Sequence, residues 1–195
     1  VPVAPSDALD VFGSLAAQVQ QHIGPTDPVL IIAFAETATA IGAAVAAALT
    51  NPTYLMHTTR EKVENTDFLF FSEAHSHATE QRLALRGLDP VLEKIKHVVF
   101  VEDEVTTGNT IWNLITCLHS RGMPKDVTFG IASLLNGMLP QHKSRFDRQG
   151  IWIAYLLHTD NAALEDSIGQ YAYDGPKIPV SQEVSIPVTR AEAGG

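Results

Sequence analysis

Three consecutive carboxylates, Glu102, Asp103 and Glu104, follow directly on the apolar residues 98–101, and the turn Thr106-Thr107-Gly108-Asn109-Thr110 comes just after. A glycine-containing turn that enters a helix presents unpaired N–H groups, and the helix dipole adds positive potential there. Hydroxyls of Thr106, Thr107 and Thr110 add donors, and Gly108 lets the backbone approach a ligand closely. Such a turn can cradle a phosphate without any basic side chain. The acids before it repel phosphate and suit hydroxyls, such as a ribose diol, or a divalent cation. A phosphate cradle beside a diol binder describes a sugar phosphate. A second constellation, Glu36-Thr37-Ala38-Thr39, also interrupts an apolar run. A third is Glu73, His75 and His77, which with His57 could ligate Zn²⁺ or Fe²⁺. An H-x-H pair alone is weak, and a solvated polar loop is the commoner explanation.

Positioning these groups requires strands that end at one place. "PVLIIAFA" (28–35), "PTYLMHT" (52–58), "HVVFVEDEV" (97–105), "DVTFGIASLL" (126–135) and "IWIAYLLH" (151–158) have strand length and composition. Leu9, Phe12, Leu15, Ala16, Val19 and Ile23 recur at helical spacing and predict a helix over 7–23, stopped by Gly24-Pro25. The Ala-rich segment 40–50 predicts a helix with a small-residue face. Ile111, Leu114, Ile115 and Leu118 predict a third helix, ending near Gly122 and Pro124. Strand and helix alternating in this way imply an open, mainly parallel α/β sheet with flanking helices. Ligands collect outside the carboxyl ends of the strands in such sheets, where both threonine-containing turns fall. An insert over about 60–90 is polar and charged, with "DFLFF" (67–71) as its one apolar stretch, predicted to be a short strand at its base. The tail from about residue 174 is Pro-rich and polar, and predicts an irregular wrap or a linker. The whole, 1–195, reads as a single domain with a small hood or flexible-loop insert.

A net charge of −9 over 195 residues argues against nonspecific nucleic-acid binding, which needs surplus Lys and Arg. Cys117 is the only cysteine, so there is neither a disulfide framework nor a thiolate zinc cluster. No apolar run reaches spanning length and no signal-peptide pattern opens the chain, so a cytoplasmic, membrane-free setting is expected. Residue 1 is Val, not an initiator Met, which points to processing or to a neighbouring segment outside this sequence.

"VVFVEDEVTTGNT" resembles the phosphoribosyl-pyrophosphate signature of type I phosphoribosyltransferases: four apolar residues, two acids, two more residues, then a Thr-Thr-Gly-x-Thr loop. The resemblance implies that Glu102 and Asp103 hold the ribose 2′- and 3′-hydroxyls and that residues 106–110 hold the 5′-phosphate. Glu104 departs from the aliphatic residue usual at its position. "FAETATAIG" (34–42) is similar to the pyrophosphate loop after the family's first strand, with Glu36, Thr37, Ala38 and Thr39 in place of the common Arg-Gly-Gly. Glu36 suits an anion site only where Mg²⁺ bridges them, and the ion is otherwise expected to be held by pyrophosphate and ribose hydroxyls. The Glu-Thr-Ala-Thr form with a His-containing insert resembles the orotate-transferase-like branch encoded with bacterial tellurite-resistance clusters. The likeness covers about residues 28–160.

The family implies a Mg²⁺-dependent transfer of phosphoribose between phosphoribosyl pyrophosphate and a nitrogenous base, in a protein that is commonly a dimer. It also implies a loop closing over pyrophosphate, for which Arg60, Lys62, Arg82 and Arg86 are the available cations. Arg60 is favoured because it follows the strand end directly, and it is expected to face the Glu-Thr-Ala-Thr turn. Rival readings are a module that binds the sugar pyrophosphate without turnover, and a metal-dependent hydrolase centred on the histidines. A P-loop ATPase also has an apolar strand ending in acids, but it requires G-x-x-x-x-G-K-[ST], and no such loop exists here. Trp112 lies on a predicted helix, where such a residue is more often packing than ligand; Phe146, Trp152 and Tyr155 could stack a base, although core packing is the usual role of such residues.

Overall fold

The computed structural model describes residues 3–61, 63–71 and 81–160. Lys62, Glu73, His75, His77 and the tail from about residue 174 lie outside them. Twelve elements are present among the described residues: α1 Pro5–Gln20, β1 Val29–Ala33, α2 Ala38–Ala48, β2 Thr53–Thr59, β3 Phe68–Phe70, β4 Arg82–Ala84, α3 Leu88–Leu92, β5 His97–Val105, α4 Asn109–Ser120, β6 Thr128–Asn136, α5 Pro140–Asp147 and β7 Trp152–His158.

The strands form one sheet in the order β3-β4-β2-β1-β5-β6-β7. Neighbours from β2 through β7 run parallel, as the alternating pattern predicts, and the β3–β4 pair is added antiparallel at the β2 edge. Period-two alternation sorts β1 between two cores. Val29, Ile31 and Ala33 face Leu15, Val19, Ile41 and Val45 of α1 and α2. Leu30, Ile32 and Phe34 face the other layer, built from Leu88, Ile111, Leu114, Leu118 and Phe146 of α3, α4 and α5. Helices on both faces leave every residue of β1 fully buried, which is why that strand reads as unbroken apolar sequence.

The small-residue face of α2 is used at Gly42. A Cβ there would stand 2.4 Å from the Cβ of Ala33, so the helix lies directly against β1. That contact fixes where the α2 N-terminus falls. α1 begins at Pro5, a residue suited to the first helical turn, and not at residue 7. Its Leu9 is 59% exposed, so the predicted apolar stripe is used only from Phe12 onward. "DFLFF" supplies β3, as its composition predicts. Among the described residues the insert also holds β4 and the start of α3, which its polar sequence does not suggest. Among the described residues no helix is long and apolar enough to cross a membrane.

Candidate functional site

β1 has β2 on one side and β5 on the other, so the chain reverses its winding direction between β1 and β5. A crevice forms outside the carboxyl ends of the strands at such a switch point. Ala33, the last residue of β1, pairs with Val101, and β5 then continues through Val105 with β6 as its remaining neighbour. Glu102 and Asp103 thus stand beside the turn that leaves β1. That turn is tied down at two points: the Phe34 N–H donates to the Val101 carbonyl at 3.0 Å, and the Ala35 N–H to Thr58 Oγ1 at 2.8 Å. Thr58, buried near the end of β2, in turn donates its hydroxyl to Gln81 Oε1 at 2.9 Å. The Ala35–Glu36 peptide is cis. Glu36 and Thr37 are exposed, Ala38 is buried and opens α2, and the Thr39 hydroxyl donates to the Glu36 carbonyl at 2.7 Å. Thr37 occupies the N-cap position but makes no side-chain cap, so this turn is not an ordinary threonine-capped helix start.

The second turn is supported from below. Gly108 has φ +67° and is the N-cap of α4. A Cβ there would lie 2.8 Å from Phe146 Cζ, so glycine is required by both conformation and contact. Among the described residues, the Asn109 N–H is the one in this turn that meets a protein acceptor, Thr107 Oγ1 at 3.3 Å. Arg145 donates to the Thr107 carbonyl and stacks on Trp112 and Phe146, 5.5 and 4.8 Å from the ring centroids. The Gly137 N–H holds the Val105 carbonyl at 2.8 Å. These supports come from α5 and the segment before it, for which the sequence shows no helical or strand periodicity. Pro140, followed by Phe146 among polar residues, was the available signal.

Glu102 is electrostatically distinct from an ordinary surface carboxylate. Burial pushes the Glu102 carboxyl up to about 8, the neighbouring Asp103 charge adds to this, and Arg60 opposes it. Arg60, just past β2, is therefore within electrostatic reach of Glu102 in β5. Because the folded chain holds this proton more tightly than the unfolded chain, Glu102 subtracts stability as pH rises from about 4.5 to about 8. Glu102→Gln is expected to raise the unfolding free energy at pH 9 by a few kcal/mol, in order of magnitude, and to change it little at pH 5. Thermal melts at the two pH values check this. Equal effects at both would mean that the carboxyl is not perturbed. A ligand donating hydrogen bonds to the carboxylate would be bound more tightly as pH rises toward 8.

Among the described residues no group of three His, Cys, Asp or Glu converges on a metal position. The carboxylates at the two strand ends are hard oxygen donors of the kind Mg²⁺ accepts, and Mg²⁺ commonly completes its shell with phosphate oxygens and water. The donor set fits that ion, shared with a ligand, better than a dedicated protein cage. His57 is exposed on β2. Arg82 is 5% exposed, with its guanidinium over the rings of Phe68 and Phe70 at 5.8 and 5.3 Å, so it packs the hairpin and is not a loop cation. Arg86 is exposed just beyond β4. Phe146 is fully buried, Trp112 meets it edge to face at 5.6 Å, and Trp152 stacks on His22 at 4.5 Å, all as packing residues. Tyr155 is half-buried, two strands from Glu102 on the same rung of the sheet through Ser133.

Residues 1–153 match the family model described as phosphoribosyl transferase. Against curated proteins as whole sequences, no match is found. Solved structures share the fold at low identity. An adenine phosphoribosyl transferase from Trypanosoma brucei, in complex with AMP, pyrophosphate and ribose-5-phosphate, is 13% identical over 97% of this chain and 76% of its own, with TM-score 0.54. The adenine phosphoribosyltransferase of Thermoanaerobacter pseudethanolicus is 18% identical over 80% and 82%, with TM-score 0.53. That of Giardia lamblia, complexed with 9-deazaadenine, is 16% identical over 79% and 84%, with TM-score 0.52.

Proposed function

We propose, for a chain that belongs to the phosphoribosyl transferase family, a family of glycosyltransferases, that the crevice between β1 and β5 transfers phosphoribose from phosphoribosyl pyrophosphate to a nitrogenous base. The observation that carries this reading is the meeting of three groups where β1 and β5 lie side by side: the turn at 36–39, the acids Glu102 and Asp103, and the turn at 106–110, in which Asn109 alone donates its N–H to a protein acceptor among the described residues. The same site runs the reverse reaction, phosphorolysis of a nucleotide by pyrophosphate. The whole chain acts as one domain, nearest the orotate-transferase-like branch found with tellurite-resistance clusters. A homodimer in solution and a cytoplasmic location belong to the same reading.

The chemistry asked of these residues is modest. The bond from C1 of the ribose to pyrophosphate breaks as a base nitrogen bonds to C1, through a transition state with oxocarbenium character. Such a step needs charge placement and exclusion of water more than a covalent nucleophile. Glu102 and Asp103 hold the ribose diol, and a carboxylate there favours positive charge developing nearby, for Glu102 increasingly as pH rises toward about 8. The turn at 106–110 fixes the 5′-phosphate, and Glu36, Thr37, Ala38 and Thr39 border the pyrophosphate. Arg60 offsets the negative charge that builds on the departing pyrophosphate. Bound Mg²⁺ would supply further neutralisation of that leaving group.

The test is nucleotide and pyrophosphate formation from phosphoribosyl pyrophosphate, Mg²⁺ and a panel of bases. Turnover with one base supports the reading and names the acceptor. Tight binding without turnover on any base would replace it with a sensing module. No binding would remove it.

A further inference from the structure

Resting on the reading of residues 106–110 as the 5′-phosphate cradle, we infer that Arg145 is a positioning residue for that cradle: its hold on the Thr107 carbonyl aims the Gly108 N–H at the phosphate. The Thr107–Gly108 peptide is trans; among the described residues the cis bond is Ala35–Glu36. In a trans peptide the carbonyl and the following N–H point in opposite directions. Arg145 draws the Thr107 carbonyl toward α5. The Gly108 N–H must then face away from α5, toward the side where ligand can approach.

A loop peptide before a glycine in the left-handed region has reduced intrinsic stiffness, because one of its two flanking dihedrals is the glycine's own permissive φ. Orientation therefore has to come from outside the loop. Arg145 is well made for this. Its guanidinium lies against the rings of Trp112 and Phe146, and Phe146 is fully buried. Trp112 is in the first turn of α4 and Phe146 is in α5, so the arginine locks the helix that follows the cradle to the helix beneath it. A planar, permanently charged group both stacks and donates, which an ammonium does less well. It also places a positive charge within one peptide of the bound anion, and in this half-buried setting that charge is less screened than at an open surface.

The experiment compares wild type, Arg145→Met and Arg145→Lys, titrating each with ribose 5-phosphate and, separately, with inorganic pyrophosphate plus Mg²⁺. Methionine keeps an apolar stem between the rings, and thermal melts report folding of both variants. Expected is a loss of at least about tenfold in ribose 5-phosphate affinity for Arg145→Met, with partial recovery in Arg145→Lys and pyrophosphate affinity unchanged. Equal loss for both ligands would show general loosening and overturn the inference. Unchanged ribose 5-phosphate binding in Arg145→Met would overturn it while leaving the cradle intact. A wild type that binds no ribose 5-phosphate would overturn the cradle itself, and the inference with it.

Discussion

Asp103→Asn is expected to abolish phosphoribosyl transfer and to weaken phosphoribosyl pyrophosphate binding by about 10- to 150-fold. The reason is local. A carboxylate that accepts hydrogen bonds from a diol contributes about 1.5–3 kcal/mol per bond, and the amide keeps shape but loses charge. Asp103 is half-buried at a strand end and supports no packing cluster, so the substitution is expected to leave the fold intact. Calorimetric titration alongside a turnover assay measures both effects. Wild-type affinity and rate in this variant would sink the assignment of the acids to the ribose.

Gly108→Ala carries the largest expected structural effect of any change in the site. An L-residue at φ +67° is strained by about 1–2 kcal/mol. The added Cβ also meets Phe146 Cζ and Cε2 at 2.8 and 2.9 Å, and that fully buried ring has little room to yield. Overpacking of this kind adds about 1–3 kcal/mol. Gly87→Ala isolates the strain alone, because Gly87 has φ +82° and no atom within 4 Å of a built Cβ. Denaturant unfolding should therefore show Gly108→Ala destabilised by at least about 1 kcal/mol more than Gly87→Ala, together with loss of ribose 5-phosphate binding. Equal destabilisation would mean that the cradle does not rest on Phe146.

What was legible in the sequence follows from how each feature is encoded. β1 and β5 could be read because strands buried on both faces must be continuously apolar, and the acids of β5 stand out against that background. The turn at 106–110 could be read because its glycine and threonines adjoin a helix with a clear apolar stripe. α5 could not, since most of its residues are polar and its contribution is made by single side chains, Arg145 and Phe146, whose partners are distant in sequence. The hairpin of β3 and β4 was only half visible. "DFLFF" marks one strand, but β4 is three residues long and includes an arginine buried under two phenylalanines. Nothing local distinguishes such an arginine from a solvated one. The reach of Arg60 to Glu102 is likewise a property of strand order, β2 and β5 flanking β1, which pattern alone does not give.

The most direct test of the central claim, that one crevice at the β1–β5 switch point holds a ribose 5-phosphate, is a structure of the protein with a bound nucleoside 5′-monophosphate. The phosphate should lie about 3 Å from the backbone N–H groups of residues 106–110, with the 2′- and 3′-hydroxyls on Glu102 and Asp103. A phosphate bound elsewhere, with the ribose away from both acids, would contradict the account.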